Sequence, residues 1–206
     1  MHRIKILALT VKDSSYLMDL LSLQSPLTMI EVIAINWHGD TPFAFRLSED
    51  QPGISIFKDA RSLCKLSMYS RTGYLPVSFL RQLRIPLGHL VDLDLGSVPL
   101  QIHDVHTTLL QCLQLVRCWL TVDVDQEPSS KFYAPNSIVV PRLEELNIYS
   151  PSRWGKSLRL FEPLVLPALS VFELLCLWKL ETVQFWSIFG VAQHAPCARS
   201  ECPTRL

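Results

Sequence analysis

A short apolar phrase, L-x-x-L-x-L, recurs seven times along this chain of 206 residues, with Ile, Met, Cys or Phe at some of the leucine positions. Successive copies begin 26, 33, 27, 25, 28 and 26 residues apart. The copies begin at Ile4, Ile30, Leu63, Leu90, Leu115, Leu143 and Leu169. A repeat of about 20–29 residues, in which each unit buries its apolar face against its neighbours, predicts a solenoid rather than a globule with one central core.

Each copy of the phrase predicts a turn followed by a strand. The L-x-L part alternates with a period of two, so its leucines face the core and the residues between them face away. The first leucine then lies in the turn that leads into the strand. We predict parallel strands at residues 4–9, 30–36, 63–69, 90–95, 115–121, 143–149 and 169–175. The inward side chains expected to be almost fully buried are Leu66, Leu93, Leu95, Leu146, Ile148 and Phe172.

The segments between the strands predict several kinds of connection. Helical apolar spacing occurs at residues 14–21, 77–83 and 104–113. Pro141 and Pro167 stand just before two of the strands, where the missing N–H of proline does not interrupt a sheet ladder. Gly39–Pro42 and Ser48–Gly53, in the longest interval, predict an exposed loop. Because crossovers between parallel strands are right-handed, we predict a curved α/β solenoid with strands on its concave face and helices outside.

The spacing resembles that of leucine-rich-repeat proteins over roughly residues 4–175. More narrowly, Leu90–Ser97, Leu109–Val116 and Val140–Ile148 resemble the repeat region of fungal F-box proteins. In that family an N-terminal F-box docks to the SCF ubiquitin ligase and the repeats capture the substrate. The resemblance implies a right-handed horseshoe of about seven irregular repeats. Since repeat sequence begins at Ile4, it implies the substrate-binding part, with a ligase scaffold as partner only if an F-box lies upstream.

The chain departs from the family pattern at the ninth position of each repeat. Many leucine-rich repeats carry Asn or Cys there, where the side chain bonds the backbone of the turn. The ninth positions here are Lys12, His38, Arg71, Val98, Asp123, Pro151 and Leu177. No asparagine ladder is therefore expected, and the repeats should be irregular.

The outward strand residues are the candidate binding site, because solenoids bind partners on their concave faces. Trp, Tyr and Arg, which are favoured at interface hot spots, stand near the middle of this face. The candidate partner-binding residues are Lys65, Tyr69, Asp92, Asp94, Arg117, Trp119, Glu145 and Tyr149. Ser67, Gly96, Thr121 and Asn147 belong to the same outward set. The alternative is that these are ordinary strand residues that shield one another.

Other patterns in the sequence give weaker support to chemistry. His103 and His106 could supply two metal ligands on a helix, but no third is evident, so two solvated helix residues are the favoured interpretation. Trp154–Ser157 lacks the first glycine of a phosphate-binding loop, and Asp123–Glu127 lacks the glycine and distal glutamate of a calcium loop. We therefore predict no catalytic residue, no metal and no cofactor.

Charge and cysteine usage restrict the class of partner and the compartment. Formal net charge is +0 at pH 7, which gives no long-range attraction for nucleic acid or an anionic membrane. The six cysteines form no C-x-x-C pair and favour a reduced, intracellular protein of the cytoplasm or nucleus.

The sequence thus predicts a repeat array over residues 1–190 and a disordered tail over residues 191–206. Its expected function is non-enzymatic recognition of a protein on the concave face, as the substrate-binding part of an F-box ligase receptor. The alternative is a degenerate or truncated remnant of such an array that binds nothing.

Overall fold

The protein is built on one parallel β-sheet that follows the order of the chain. The computed structural model describes residues 4–12, 27–38, 56–71, 83–123, 137–151 and 160–176. Its main sheet has seven strands, β1 (Ile6–Val11), β2 (Val32–Trp37), β3 (Lys65–Ser70), β4 (Asp92–Leu100), β5 (Arg117–Val122), β7 (Glu145–Ser150) and β9 (Val171–Cys176). Two further strands, β6 (Ile138–Val139) and β8 (Leu164–Val165), pair in a separate parallel sheet. The architecture is a solenoid with few helices, and the predicted parallel strands are confirmed.

The repeated phrase sets the register of the main sheet. Each strand begins two residues after the first apolar residue of its copy, so the predicted strand starts are each two residues too early. The first apolar residue lies before the strand, in agreement with its predicted place in the turn. The second apolar positions pair across all seven strands and form one continuous row. That row consists of Leu7, Ile33, Leu66, Leu93, Cys118, Leu146 and Phe172. A one-residue slip would turn every one of these side chains away from the core, so the apolar pattern fixes the register.

The first apolar residue closes a tight turn in the six copies whose turns the structure describes. Its N–H donates to the carbonyl of the residue three positions earlier, for example Leu63 to Ala60 at 3.1 Å and Leu115 to Cys112 at 3.2 Å. The residue three positions earlier is apolar in every such turn, namely Leu27, Ala60, Leu87, Cys112, Val140 and Leu166. Pro141 and Pro167 occupy the second position of two of these turns, where a fixed φ favours the turn. This location, four residues before the strand, explains the prolines better than strand entry does.

A second hydrogen-bond pattern joins each turn to the next repeat. The carbonyl of the residue just before a strand accepts two successive N–H groups from the following repeat. Glu31 O, for example, accepts from Cys64 N at 2.9 Å and Lys65 N at 3.1 Å, and Val91 O accepts in the same way from Val116 and Arg117. The pattern recurs at all six junctions between neighbouring strands of the main sheet. Each repeat is therefore tied to its neighbour before the strands begin to pair.

The core lies between the main sheet and the connecting segments. Five of the six inward residues predicted to be buried are so, Leu66, Leu93, Leu95, Leu146 and Ile148. The prediction for Phe172 is wrong, because that side chain is only partly buried. β9 pairs with β7 alone within the described sheet, so Phe172 packs on one side, where it meets Phe161 edge to face at 5.6 Å.

The side of the core opposite the main sheet carries mixed connections. Helix α1 (Ile102–Gln111) links β4 to β5 and confirms the helix predicted at 104–113, starting two residues earlier. The short strands β6 and β8 take the corresponding place in the next two connections. A single turn of 3₁₀ helix, Leu87–His89, precedes β4. The predicted helix at 14–21, the loop at 39–53, the tail and, apart from Leu83 in a turn, the predicted helix at 77–83 lie outside the described residues.

His106 corrects the prediction of two solvated histidines on this helix. His103 is exposed, but His106 is 4% exposed and packs into the core beside Val105 and Leu109. Its Nε2 lies 2.9 Å from the carbonyl oxygen of Leu160, which accepts the hydrogen bond. Burial lowers the pKa of His106, the bond to Leu160 opposes that shift, and the nearby His103 adds slightly to it. His106 is therefore a core residue that links α1 to the connection before β8.

Acidification should test this assignment. The pKa of His106 is lowered in the folded protein, so as the pH falls this side chain is protonated in the unfolded chain before it is protonated in the folded protein. Stability that is present above about pH 6.5 is therefore lost as the pH falls toward the folded pKa. We expect the free energy of unfolding, measured by urea titration between about pH 7 and pH 5, to fall less steeply in His106→Gln than in the parent protein. His38→Gln, which removes an exposed histidine after β2, is the matched control and should keep the parent slope. Equal slopes in all three proteins would contradict the assignment.

Candidate functional site

The candidate site is the face of the main sheet that points away from the core, which we call the open face. Strand alternation places the first, third and fifth residues of each strand there. The first row of the open face runs across the strands in register. It consists of Ile6, Val32, Lys65, Asp92, Arg117, Glu145 and Val171. The four charged residues alternate in sign between apolar neighbours at both ends.

Asp92 is the centre of this charged row. Its Oδ2 lies 3.2 Å from Lys65 Nζ on one side and 3.0 Å from Arg117 Nη2 on the other. Arg117 Nε donates to the same oxygen at 3.4 Å. Hydrogen bonding to Asp92 raises the pKa of Arg117, and the charges of Asp92, Glu145 and Glu144 act in the same direction. Both cations of the row are thus matched by carboxylates of the same sheet.

Replacing Asp92 should leave two cations facing each other across β4. We expect Asp92→Asn to lower the free energy of unfolding by about 1 kcal/mol at low salt. The effect is small because Lys65 and Arg117 are 46% and 54% exposed, and water screens them. Urea unfolding in about 20 mM and about 500 mM NaCl measures the loss, which should shrink at the higher salt. Glu162→Gln removes an exposed carboxylate away from the sheet and is the control; a loss that salt does not change would contradict the charge argument.

The second row of the open face contains its largest exposed aromatic side chain. Asp94 pairs with Trp119, Trp119 with Asn147 and Asn147 with Glu173. Trp119 is 47% exposed although it stands near the middle of the sheet. Asn147 is 7% exposed, and its Nδ2 donates to Glu145 Oε1 at 2.8 Å. A large aromatic surface therefore lies between a carboxylate and a buried amide.

A β-bulge in β4 shapes the surface around Trp119. The pairing of β4 with β5 jumps from Leu95 to Pro99, which leaves Gly96–Val98 as extra residues. Gly96 N donates to Asp94 Oδ1 at 3.1 Å, and Thr121 Oγ1 donates to Gly96 O. A Cβ atom at position 96 would lie 3.1 Å from Trp119 Cδ1, so a larger residue would require the indole to move by a few tenths of an ångström. The bulge fixes Asp94 and Trp119 next to each other.

The structure brings all eight candidate residues to one face. They lie on β3, β4, β5 and β7, which are consecutive in the main sheet. Lys65, Tyr69, Arg117 and Trp119 are exposed, whereas Asp92, Asp94, Glu145 and Tyr149 are partly buried. Two further outward residues, Thr121 and Asn147, are buried, which corrects the expectation that they offer surface. Thr121 lies beside Trp119 and the bulge, and Asn147 lies beside Glu145. Neighbouring residues therefore shield part of this face.

Sequence reasoning missed Glu173 and the bulge. Glu173 is exposed on β9 in the same row as Trp119, and the outward-position rule applied to the seventh copy would have found it. The bulge has a weaker signal, the run Gly96-Ser97-Val98-Pro99 directly after the phrase, since glycine and proline are typical of irregular strands. Val98, at the ninth position of its repeat, is consequently a buried strand residue.

The open face is apolar at its two edges. Ile6 on β1 is 67% exposed, and Ala8 and Ala34 continue the apolar surface onto β2. At the other edge Val171 and Leu175 on β9 are also exposed. The charged and aromatic residues are thus confined to the middle strands and Glu173.

The three described cysteines are free thiols, and Cys64 is exposed whereas the other two are buried. Cys112 and Cys118 are buried free thiols, and burial raises the pKa of Cys112 to about 12 and that of Cys118 well above its usual value. Such thiols stay protonated near pH 7 and are poor nucleophiles. Within the part of the chain that the structure describes, no three His, Cys, Asp or Glu side chains are grouped to hold a metal ion. Residues 124–127 and 154–157, which carry the two weak loop motifs, lie outside that part.

Comparisons of the chain with protein-family models, with curated proteins and with solved structures found no match. The fold is therefore described by its architecture, a solenoid on a parallel sheet. Among the described helices, none is long and apolar enough to cross a membrane.

Proposed function

We propose that the protein is a non-enzymatic recognition module that binds a protein partner on the open face. The observation that carries the proposal is the exposure of Trp119 and Tyr69, at 47% and 49%, on β5 and β3, the two strands that flank β4 in one continuous sheet. Large aromatic side chains rarely remain exposed together unless they serve an interaction, and Trp, Tyr and Arg dominate binding energy at interfaces. The bulge packs beside Trp119, and the Asp92 ion pairs hold Arg117 and Lys65 in place before a partner arrives, which reduces the entropy lost on binding.

We further propose that the chain is a leucine-rich-repeat protein and the substrate-binding part of an F-box ligase receptor. The repeated turn and strand support the repeat class, and in the six copies whose turns are described the first apolar residue closes the turn. The F-box assignment rests on the sequence resemblance. Mapping the start of the transcript tests it, because the assignment requires an F-box coding sequence in frame upstream of Met1.

Site-directed cross-linking tests the recognition function directly. A photoreactive phenylalanine analogue at position 119 should capture a discrete protein partner in cells, because that side chain stands at the centre of the proposed surface. The matched control places the same analogue at position 110, an exposed leucine on helix α1. A partner captured from position 119 and not from position 110, and confirmed by titration of the purified proteins, supports the proposal.

The competing function is a degenerate array that binds nothing. It predicts the same background of products from positions 119 and 110. That result, from a chain shown to be folded by circular dichroism, would overturn the recognition function.

A further inference from the structure

We propose that the open face recognises a basic segment of its partner, with an arginine or lysine side chain seated against Trp119. The inference rests on the proposed function and adds to it the chemistry of the partner. Three features of the described strands support it, namely their charge distribution, the surroundings of Trp119 and a buried acceptor on Asn147.

The charges on the open face are unevenly distributed. In the first row, Lys65 and Arg117 are matched by Asp92 and Glu145. In the second row, the charged side chains of the described strands are both carboxylates, Asp94 and Glu173. The cations that follow β1 and β3, Lys12 and Arg71, lie toward the other edge of the sheet. In the described strands, the charged residues of the second row are therefore negative and lie between β4 and β9.

Trp119 pairs directly with Asp94 on β4, and Glu173 lies in the same row two strands away on β9, beyond Asn147. Tryptophan is the best aromatic partner for a cation, and a carboxylate beside the ring adds a charge-assisted hydrogen bond. Asp94 pairs with Trp119 across neighbouring strands, and its Oδ1 is held by Gly96 N at 3.1 Å. A guanidinium group lying on the indole can therefore reach the Asp94 carboxylate without rearranging the backbone. An acidic segment would meet repulsion from Asp94 and Glu173.

Asn147 provides separate evidence that the partner donates a hydrogen bond to this surface. It lies between Trp119 and Glu173 in the second row, and it is 7% exposed. Its Nδ2 is used by Glu145, but its Oδ1 is buried with no hydrogen-bond partner in the described structure. A buried acceptor without a hydrogen-bond partner lowers the stability of the fold. A partner side chain that displaced the groups around Asn147 Oδ1 and donated to this oxygen would recover that free energy. Lysine and arginine side chains carry such donors, whereas acidic side chains do not.

Labelled peptides provide the probe. The full chain would be titrated by fluorescence anisotropy with three capped peptides of four dipeptide repeats, arginine-serine, glutamine-serine and glutamate-serine. We expect the arginine peptide to bind at least about tenfold more tightly than the glutamine peptide, and the glutamate peptide to bind least. Raising NaCl from about 50 to about 300 mM should weaken the arginine peptide.

Three variants locate the binding. Glu173→Lys should weaken binding of the arginine peptide at least about fivefold, because it reverses a charge in the same row as Trp119. Trp119→Leu should weaken binding by a similar factor, because it removes the aromatic face while keeping an apolar side chain. Glu162→Lys makes the same charge change on an exposed residue away from the main sheet and should leave affinity within about twofold. Circular dichroism and the thermal midpoint of each variant show whether it is folded, and a variant that fails to fold is replaced by Glu173→Gln or Trp119→Met.

The outcomes separate this inference from the function on which it rests. Peptide binding that Glu173→Lys and Trp119→Leu leave unchanged, or no preference for arginine, overturns the basic partner. If position 119 then still cross-links to a specific protein, recognition stands and only the partner's chemistry is wrong. Cross-linking of position 119 to a second copy of the chain also overturns the basic partner, because the open face would then serve self-association. Background cross-linking with no peptide binding overturns both.

Discussion

Replacing Leu93 with alanine is expected to lower the free energy of unfolding by about 2–5 kcal/mol. Leu93 is 1% exposed on β4, the central strand of the main sheet, and it pairs with Leu66 on β3 and Cys118 on β5. Alanine removes apolar atoms from contact on both sides, and the ladders of β3 and β5 prevent the sheet from closing around the cavity. Urea or guanidinium unfolding followed by far-UV circular dichroism measures the loss.

Two controls show whether position in the solenoid determines that loss. Leu113→Ala changes a leucine that is 52% exposed in the turn before β5 and should cost less than about 1 kcal/mol. Leu7→Ala changes the residue of the same row on β1, which is partly buried and has one neighbouring strand within the described sheet, so its cost should be intermediate. A loss at Leu93 no larger than that at Leu113 would contradict the packing described for the core.

Most of the fold could be predicted from the repeated phrase, because the phrase gives the same information seven times. Seven copies with the same internal spacing of apolar residues define both the strand direction and the inward face, and an error in one copy is corrected by its neighbours. The strands accordingly begin two residues after Ile4, Ile30, Leu63 and the other first positions. The apolar residue three positions earlier, such as Leu27 or Val140, is a further sequence signal for the turn before the strand.

Features that depend on a single side chain could not be predicted in the same way. His106 is polar by type, and its burial depends on a carbonyl of Leu160, which is 54 residues away. Asn147 occupies an outward position, yet it is buried among its neighbours on the sheet. The bulge at Gly96 interrupts the strand after the phrase has ended, where no repeat signal remains. In each case the deciding contact is non-local and occurs once.

The composition of the candidate site was predictable, whereas its geometry was not. Alternation placed Lys65, Asp92, Arg117 and Glu145 on one face, and the structure adds that Asp92 bonds both cations. Nothing in the sequence indicated that the two cations would be neutralised within the sheet. Because those charges are neutralised, the chemical character of the open face is set by Trp119 and by the carboxylates of its row, Asp94 and Glu173.

Trp119→Ala is expected to weaken binding of a protein partner by about 2 kcal/mol or more, roughly 30-fold in Kd. The indole is half exposed in the free protein, and a partner that covers it removes a large apolar surface from water. Most of the loss should appear in the dissociation rate, because interface substitutions alter that rate more than they alter association. Titration calorimetry and surface plasmon resonance with the partner captured from position 119 measure both quantities.

The matched control for this prediction is Leu110→Ala, which shortens an exposed apolar side chain on helix α1 and should leave Kd within about twofold. Trp119→Ala should also change the free energy of unfolding much less than Leu93→Ala, since half of the indole is already in water. Tyr149, in the third row on β7, pairs with Thr121 and lies close enough to contribute to the same contact. The double variant Trp119→Ala/Tyr149→Ala should therefore bind more weakly than either single variant, and a folded double variant with the parent affinity would exclude the open face as the binding surface.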